Sequence, residues 1–391
     1  MVISVSKKWI IHILIISTLL LSGCWDQIEI ERRAFVYGMA IDVAEGSATD
    51  NIKLTQQFIN PENMATQGGG GGGGKAYRNI TGVGDTIYDI NRDVSQQASR
   101  VTDANHLEVV LISEEFIKQP SKLQETLDLF YRGKRMRRGI KFAATKGEAK
   151  EYLSVDVENE EIPTQYLNDL ILNTERIEIS NLIRIGDIQE ELLEKGSFPI
   201  VLLNKIDDRR VEIDGFVIYN GRKKQAVGSV TGEDAKGLSF IRNQKHNRSI
   251  NIKMDDKPAS IEILNLKRKF SLKQKDIDQL KFILDINIKA TIGKQLGSED
   301  ITNFEVLKEV EELTKKEVEK MLNQTIEKLQ QDFQTDGMGL WKYVSRFHPK
   351  IWEKIKEDWD VGENYFSKSE IVVNANVTIE QPGSINRTAL N

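Results

Sequence analysis

The sequence predicts a multidomain α+β protein whose C-terminal part is a mainly antiparallel sheet packed by long helices. Three patterns carry that prediction. Strand-like and helix-like segments alternate between residues 34 and 144. Apolar and polar residues alternate strictly at 282–290 and again at 371–379, the period of a strand with one wet face. Between those two segments, Ile301 to Phe333 repeats its apolar residues at helical spacing. Strands and helices mixed in this order fit neither an all-α nor an all-β chain.

The first strand is Ala34 to Val43, rich in β-formers, and the second is Ile52 to Ile59, stopped by Asn60-Pro61. Thr86 to Ser99 reads as a helix on Ile87, Ile90 and Val94. Leu107 to Ile112 is a short buried strand, Leu123 to Tyr131 a helix, and Ile140 to Ala144 a strand. Glu148 to Lys195 looks mostly helical, and Ile200 to Ile206 returns to strand. Val211 to Tyr219 is a strand ending at the turn signal Asn220-Gly221, with its partner starting near Gln225. Thr231 to Asn243 reads as a helix. In the C-terminal part, Phe282, Leu284, Ile286, Ile288 and Ala290 face one way, as do Ile371, Val373, Ala375, Val377 and Ile379. Gly337 and Gly339 break the long helix, and another starts near Pro349, placing Trp352, Ile355 and Trp359 on one face. Core packing is the plain reading of both helices; a coiled coil is disfavoured because the heptad drifts and Thr314 interrupts it. The expected domains are 24–150, a mostly helical 151–210, and 211–391, after a leader at 1–23.

Composition narrows the function classes. The chain has 391 residues, 39% hydrophobic and 29% charged, too polar for a polytopic membrane protein and too apolar for a disordered one. A net charge of −5 gives no general attraction to nucleic acid. The single cysteine, Cys24, excludes an intramolecular disulfide and any multi-cysteine metal site. His12, His106, His246 and His348 are too far apart for a local metal motif. No catalytic residue, metal or cofactor is expected.

Several motifs fall short of chemistry. Gly68 to Gly74 is a run of seven glycines before Lys75. It mimics a phosphate-binding loop, but Ala76 stands where Ser or Thr would ligate magnesium, and glycine runs match any glycine motif. A flexible loop is the better reading. Gly82-Val83-Gly84 lacks the third glycine of a dinucleotide fingerprint, and Gly228 to Gly232 does not center a serine as a nucleophile elbow does. Arg132 to Arg138 holds five basic residues in seven, a solvated loop or a contact for anionic headgroups or an acidic surface.

The N-terminus is more specific. Lys7 and Lys8 precede a charge-free stretch of 13 residues, Trp9 to Leu21, too short to span a bilayer. Leu21-Ser22-Gly23-Cys24 follows at once. This pattern resembles a lipobox, in which Cys24 becomes the first mature residue and carries a diacylglyceryl thioether and an N-acyl chain. Two such chains anchor stably where one does not.

Further residues extend the likeness. Trp25-Asp26 follows the lipobox, then Ile28-Glu29 and Gly38-Met39-Ala40-Ile41-Asp42; a glycine-rich loop follows the second strand; Phe347-His348-Pro349-Lys350-Ile351-Trp352 and Trp359 precede the last strand. Together these resemble the Ger(x)C-type spore germination lipoproteins, the C subunits of nutrient germinant receptors. The resemblance implies a non-enzymatic subunit of three mixed α/β domains, anchored by Cys24 to the outer face of the inner spore membrane. It also implies integral-membrane A and B subunits as partners, the transporter-like B subunit being the expected nutrient site. The competing expectation is a substrate-binding lipoprotein of an uptake system, with two lobes around a cleft. A cell-envelope hydrolase would need a nucleophile or metal constellation that the motifs do not supply.

Overall fold

The computed structural model describes residues 32–44, 52–60, 74–97, 100–132, 137–157, 160–177, 184–242, 248–254, 257–295 and 303–380, with single positions at 9, 29 and 63. Cys24, and the glycine run except Gly74, lie outside the described residues.

Nine strands form the first sheet. They are β1 (Arg33–Val43), β2 (Ile52–Ile59), β3 (Tyr77–Gly84), β4 (Val101–Asp103), β5 (Val109–Ser113), β6 (Lys141–Thr145), β7 (Phe198–Lys205), β8 (Val211–Asn220) and β9 (Gln225–Thr231). Their order is β3-β2-β1-β5-β6-β7-β8-β9, with β4 beside the start of β1. The center is parallel and the margins are antiparallel hairpins. β5 and β6 are buried at every residue, because helices cover both faces. Val109, Leu111 and Ala143 enter one core, while Val110, Ile112 and Phe142 enter the other. Helices α1 (Ile87–Gln97), α3 (Lys122–Arg132) and α6 (Ile185–Leu193) pack the second core; the short α2 (Glu114–Ile117) lies between α1 and α3. Helices α4 (Ala149–Tyr152) and α5 (Pro163–Ile177) pack the first. Gly82 of β3 lets α1 approach: a Cβ there would lie 2.6 Å from Ile90 Cγ2.

The glycine run connects β2 to β3, which pair antiparallel from Ile52↔Gly84 to Ile59↔Tyr77. The loop therefore feeds a strand, not the helix a phosphate-binding loop requires. The sheet also runs on past residue 210: β7 and β8 pair from Phe198↔Tyr219 to Lys205↔Val211. The turn after Asn220 spans four residues rather than two, since Asn220 pairs with Gln225.

Four strands form the second sheet: β10 (Arg248–Met254), β11 (Lys257–Gln274), β12 (Lys281–Gln295) and β13 (Glu370–Ile379). Its first two pairings are antiparallel. β12 and β13 are parallel, against the antiparallel pairing expected for wet-faced strands. A long crossover makes that possible: α8 (Phe304–Glu327), α9 (Leu340–Phe347), α10 (Pro349–Ile355) and α11 (Tyr365–Lys368) lie between them. The inner face meets α8 and α7 (Gly232–Ile241) through the same core that covers the first sheet. Thr314, the expected interruption of α8, is buried and satisfied by the Val310 carbonyl at 2.7 Å. A π-helical turn, Lys328–Asp332, extends α8 and aims Gln330 at the carbonyls of Phe366 and Ser369. β13 is an edge strand. Two α8 carboxylates cover it, Glu319 accepting from Ala375 N–H at 3.0 Å and Glu311 from Ile379 N–H at 2.9 Å.

Candidate functional site

The two sheets meet at a buried polar joint. One side comes from the β6–β9 end of the first sheet: Gly196 and Ser197 before β7, Asn220 at the end of β8, and Arg222 in the turn. The other comes from the crossover: Thr335 and Asp336 before α9, Trp341 in it, Trp352 in α10, then Trp359 and Asp360.

Asp336 organizes this segment. Oδ1 accepts from the backbone N–H of Gly339 at 2.9 Å and of Leu340 at 3.0 Å. Oδ2 accepts from Trp341 N–H at 2.6 Å and from the Trp359 indole N–H at 2.9 Å. The carboxylate thus caps α9 and ties it to Trp359. Burial outweighs those donors and pushes the Asp336 carboxyl up to about 6, with the Asp360 charge adding to the rise.

Asp360 faces the first sheet. Ser197 Oγ donates to its Oδ2 at 2.5 Å, and Arg222 Nη1 lies 3.8 Å from its Oδ1. Burial raises the Asp360 carboxyl, and Ser197 and Arg222 oppose the rise. Asn220 donates to Thr335 Oγ1 at 2.9 Å and to the Asp360 carbonyl at 3.2 Å, while its own oxygen accepts from Arg222 and Lys223 N–H. The hairpin turn and the joint therefore share one side chain. Trp341 donates to the Ser197 carbonyl at 3.3 Å, and its ring stacks on Trp352 at 6.1 Å. Trp359 meets Trp352 edge-on at 5.8 Å and Phe282 of β12 at 6.4 Å. A Cβ at Gly196 would lie 2.2 Å from Trp341 Cζ2, so only glycine admits that ring.

Asp336 and Asp360 are 0% and 1% exposed, closed to a substrate. The arrangement holds two sheets in a fixed relation; it does not present a reacting group. Among the described residues, no cluster of three or more His, Cys, Asp or Glu could hold a metal ion, and no helix is long and apolar enough to cross a membrane.

The residues singled out in the sequence divide cleanly. Asp42 accepts from Ala149 and Lys150 N–H at 2.6 and 3.0 Å, so it caps α4. Trp352 and Trp359 belong to the joint, and Ile355 is buried beside them. Phe347 is 60% exposed, and His348 Nε2 lies 3.2 Å from the Tyr343 hydroxyl. Of the basic run, Arg132 pairs with Asp128 and Arg138 with Glu190. Ser197, Arg222, Asp336 and Asp360 carry no signal in the sequence, being ordinary polar residues far apart in the chain, and Asn220 reads there only as part of a turn.

A family model described as the spore germination protein N-terminal domain matches residues 26–205. A second, described as spore germination B3/GerAC like, C-terminal, matches residues 214–383. The chain belongs to the Ger(x)C family. Ger(x)C relatives align along nearly all of it. Spore germination protein YndF of Bacillus subtilis (strain 168) is 28% identical over 93% of this chain and 94% of its own. Spore germination protein A3 of the same strain is 28% identical over 94% and 96%. Spore germination protein KC, also of that strain, is 23% identical over 97% of each. The solved structure titled the GerBC protein matches with a TM-score of 0.59 at 20% identity, covering 88% of this chain and 96% of that one. That likeness speaks for the multidomain α+β Ger(x)C fold.

Proposed function

We propose that this Ger(x)C protein is the lipid-anchored, non-enzymatic C subunit of a nutrient germinant receptor. It works with integral-membrane A and B subunits on the outer face of the inner spore membrane. The observation that carries the reading is the pair of family models, which together span both sheets, with relatives named spore germination proteins A3, B3 and KC. Anchoring is supported by the 13 charge-free residues before Ser22-Gly23-Cys24. Two acyl chains on Cys24 supply stable anchoring, and no described helix is long and apolar enough to cross a membrane. A capture protein of an uptake system fits less well: it needs lobes that hinge, whereas one contiguous core and the Asp336 joint fasten these two sheets.

The test is genetic and biochemical. Spores lacking the chain are expected to lose their response to one set of nutrients while remaining intact otherwise. Spores carrying Cys24→Ala are expected to show the protein unprocessed or released from the membrane fraction. Normal maturation and membrane fractionation of that variant refute the anchor, and an unchanged nutrient response of the deletion refutes the receptor role.

A further inference from the structure

A groove of about 830 Å³ opens beside the joint, between α9, the end of α7 and the middle of β11. Arg242, Arg268, Phe270, Tyr343, Arg346 and Phe347 are among the residues that line it. Its size falls in the range of small-molecule sites.

Its charge is one-sided. Glu191, paired with Lys342 at one end, and the buried Asp336 are the carboxylates whose charge reaches Arg242, while five basic side chains, Arg242, Arg268, Lys269, Lys342 and Arg346, line the groove. Arg242 donates to the Gly337 carbonyl at 3.1 Å, a neutral partner. Asp336 lies behind it with both oxygens already engaged by the joint. The Arg268 guanidinium sits 4.7 Å over the Phe270 ring. Among the described residues, neither Arg242 nor Arg268 forms an ion pair with a carboxylate. Both are partly buried. Burial, and after it the charge of Arg242, pushes Arg268 down to about 10, against the opposing charge of Asp336.

The walls are preformed and aromatic. Leu272 N–H donates to the Tyr343 hydroxyl at 3.1 Å, and the Tyr343 ring packs 5.9 Å from Phe270 and 5.3 Å from Phe347. Inorganic phosphate would be served by charge alone and has no use for three rings. A guanidinium fork, by contrast, matches a carboxylate in two parallel hydrogen bonds, and flat rings match a flat apolar body.

We propose that this groove binds a small organic carboxylate with a flat apolar body, the carboxylate held by Arg242 and Arg268 and the body lying against Phe270, Tyr343 and Phe347. The proposal rests on the groove alone and stands or falls independently of the receptor reading.

The experiment titrates the full chain, in detergent, with 4-fluorobenzoate and follows the fluorine resonance. The uncharged 4-fluorobenzyl alcohol and inorganic phosphate serve as separate arms. Saturable binding of the carboxylate is expected, with binding by the alcohol at least roughly tenfold weaker, the scale of a lost charged hydrogen bond. Phosphate at equal concentration leaves the carboxylate bound. Arg268→Ala is expected to weaken binding roughly tenfold. Phe347→Ala, at an exposed position that does not threaten the fold, weakens it about threefold through lost ring contact. Lys316→Ala, on the outer side of α8, leaves it unchanged. No saturable binding, equal binding of the alcohol, displacement by equimolar phosphate, or wild-type affinity in both Arg268→Ala and Phe347→Ala would each overturn the proposal.

Discussion

The nine-stranded sheet is covered on both faces, whereas the four-stranded sheet is covered on one. In the first, consecutive residues such as Leu111 and Ile112 are both fully buried and serve different cores. In the second, Ile286 is fully buried while its neighbor Asn287 is exposed and pairs with Asn376 of β13 at 3.2 Å. The first sheet thus commits nearly all of its central side chains to stability. The second keeps a face free, while the cationic groove opens on its covered side, where Arg268 and Phe270 of β11 stand opposite Ile286 and Leu284.

Breaking the joint should produce the largest effect, because the two sheets share a core across it. Trp359→Ala empties a fully buried site and removes one donor from Asp336. A loss of about 3–5 kcal/mol is expected in denaturant unfolding. A loss below about 1 kcal/mol would mean that the sheets are energetically separate. Next come paired truncations. Leu111→Ala and Ile112→Ala should each cost about 2–5 kcal/mol, whereas Ile286→Ala costs that much and Asn287→Ala within about 0.5. Similar costs at Ile286 and Asn287 would erase the contrast between the sheets. Gly196→Ala should cost about 1–3 kcal/mol, as the Trp341 ring is forced aside.

The smallest effect concerns pH. Asp336 holds its proton more tightly folded than unfolded, being raised to about 6 from the ordinary value near 4. The native state therefore binds more protons in that window, and stability contributed by this group falls as pH rises from about 4 through about 6. Asp336→Asn should flatten that part of the stability profile, read as melting temperature at several pH values. An identical slope in the variant would show that Asp336 titrates as an ordinary carboxylate. Asp360, Asp42, Glu108 and Asp187, also raised, contribute to the slope that remains.

The legibility of the fold follows the same contrast. β12 was readable because its alternation is uninterrupted. β11 was not, because its register shifts between Ile263 and Asn265. Buried positions change parity there, from Ala259, Ile261 and Ile263 to Phe270 and Leu272, so no single period fits 18 residues. β3 was hidden by its glycines, which look like a turn but admit α1. α9 has only eight residues between a glycine and a proline, too few for a periodic signal. The joint is not legible as a site: Ser197 and Asp360 are 163 residues apart, and Asn220 and Thr335 are 115 apart. Of its residues the sequence marks Trp352 and Trp359, whose spacing reads as core packing, and Asn220, which reads as a turn, but not Trp341.

The parallel pairing of β12 with β13 carries a consequence for the order of folding. Partners such as Asp285 and Asn374 are 89 residues apart in the chain, so this pairing closes a far longer loop than the hairpins beside it. Loop-closure entropy places such contacts late, after α8 and the Asp336 cap have formed. Until β13 arrives, β12 presents a long unpaired edge, the kind of template on which chains associate with one another. Glu311 and Glu319, waiting on α8 for the N–H groups of Ile379 and Ala375, reward the native strand at the moment it docks and thereby shorten the time that edge stands open.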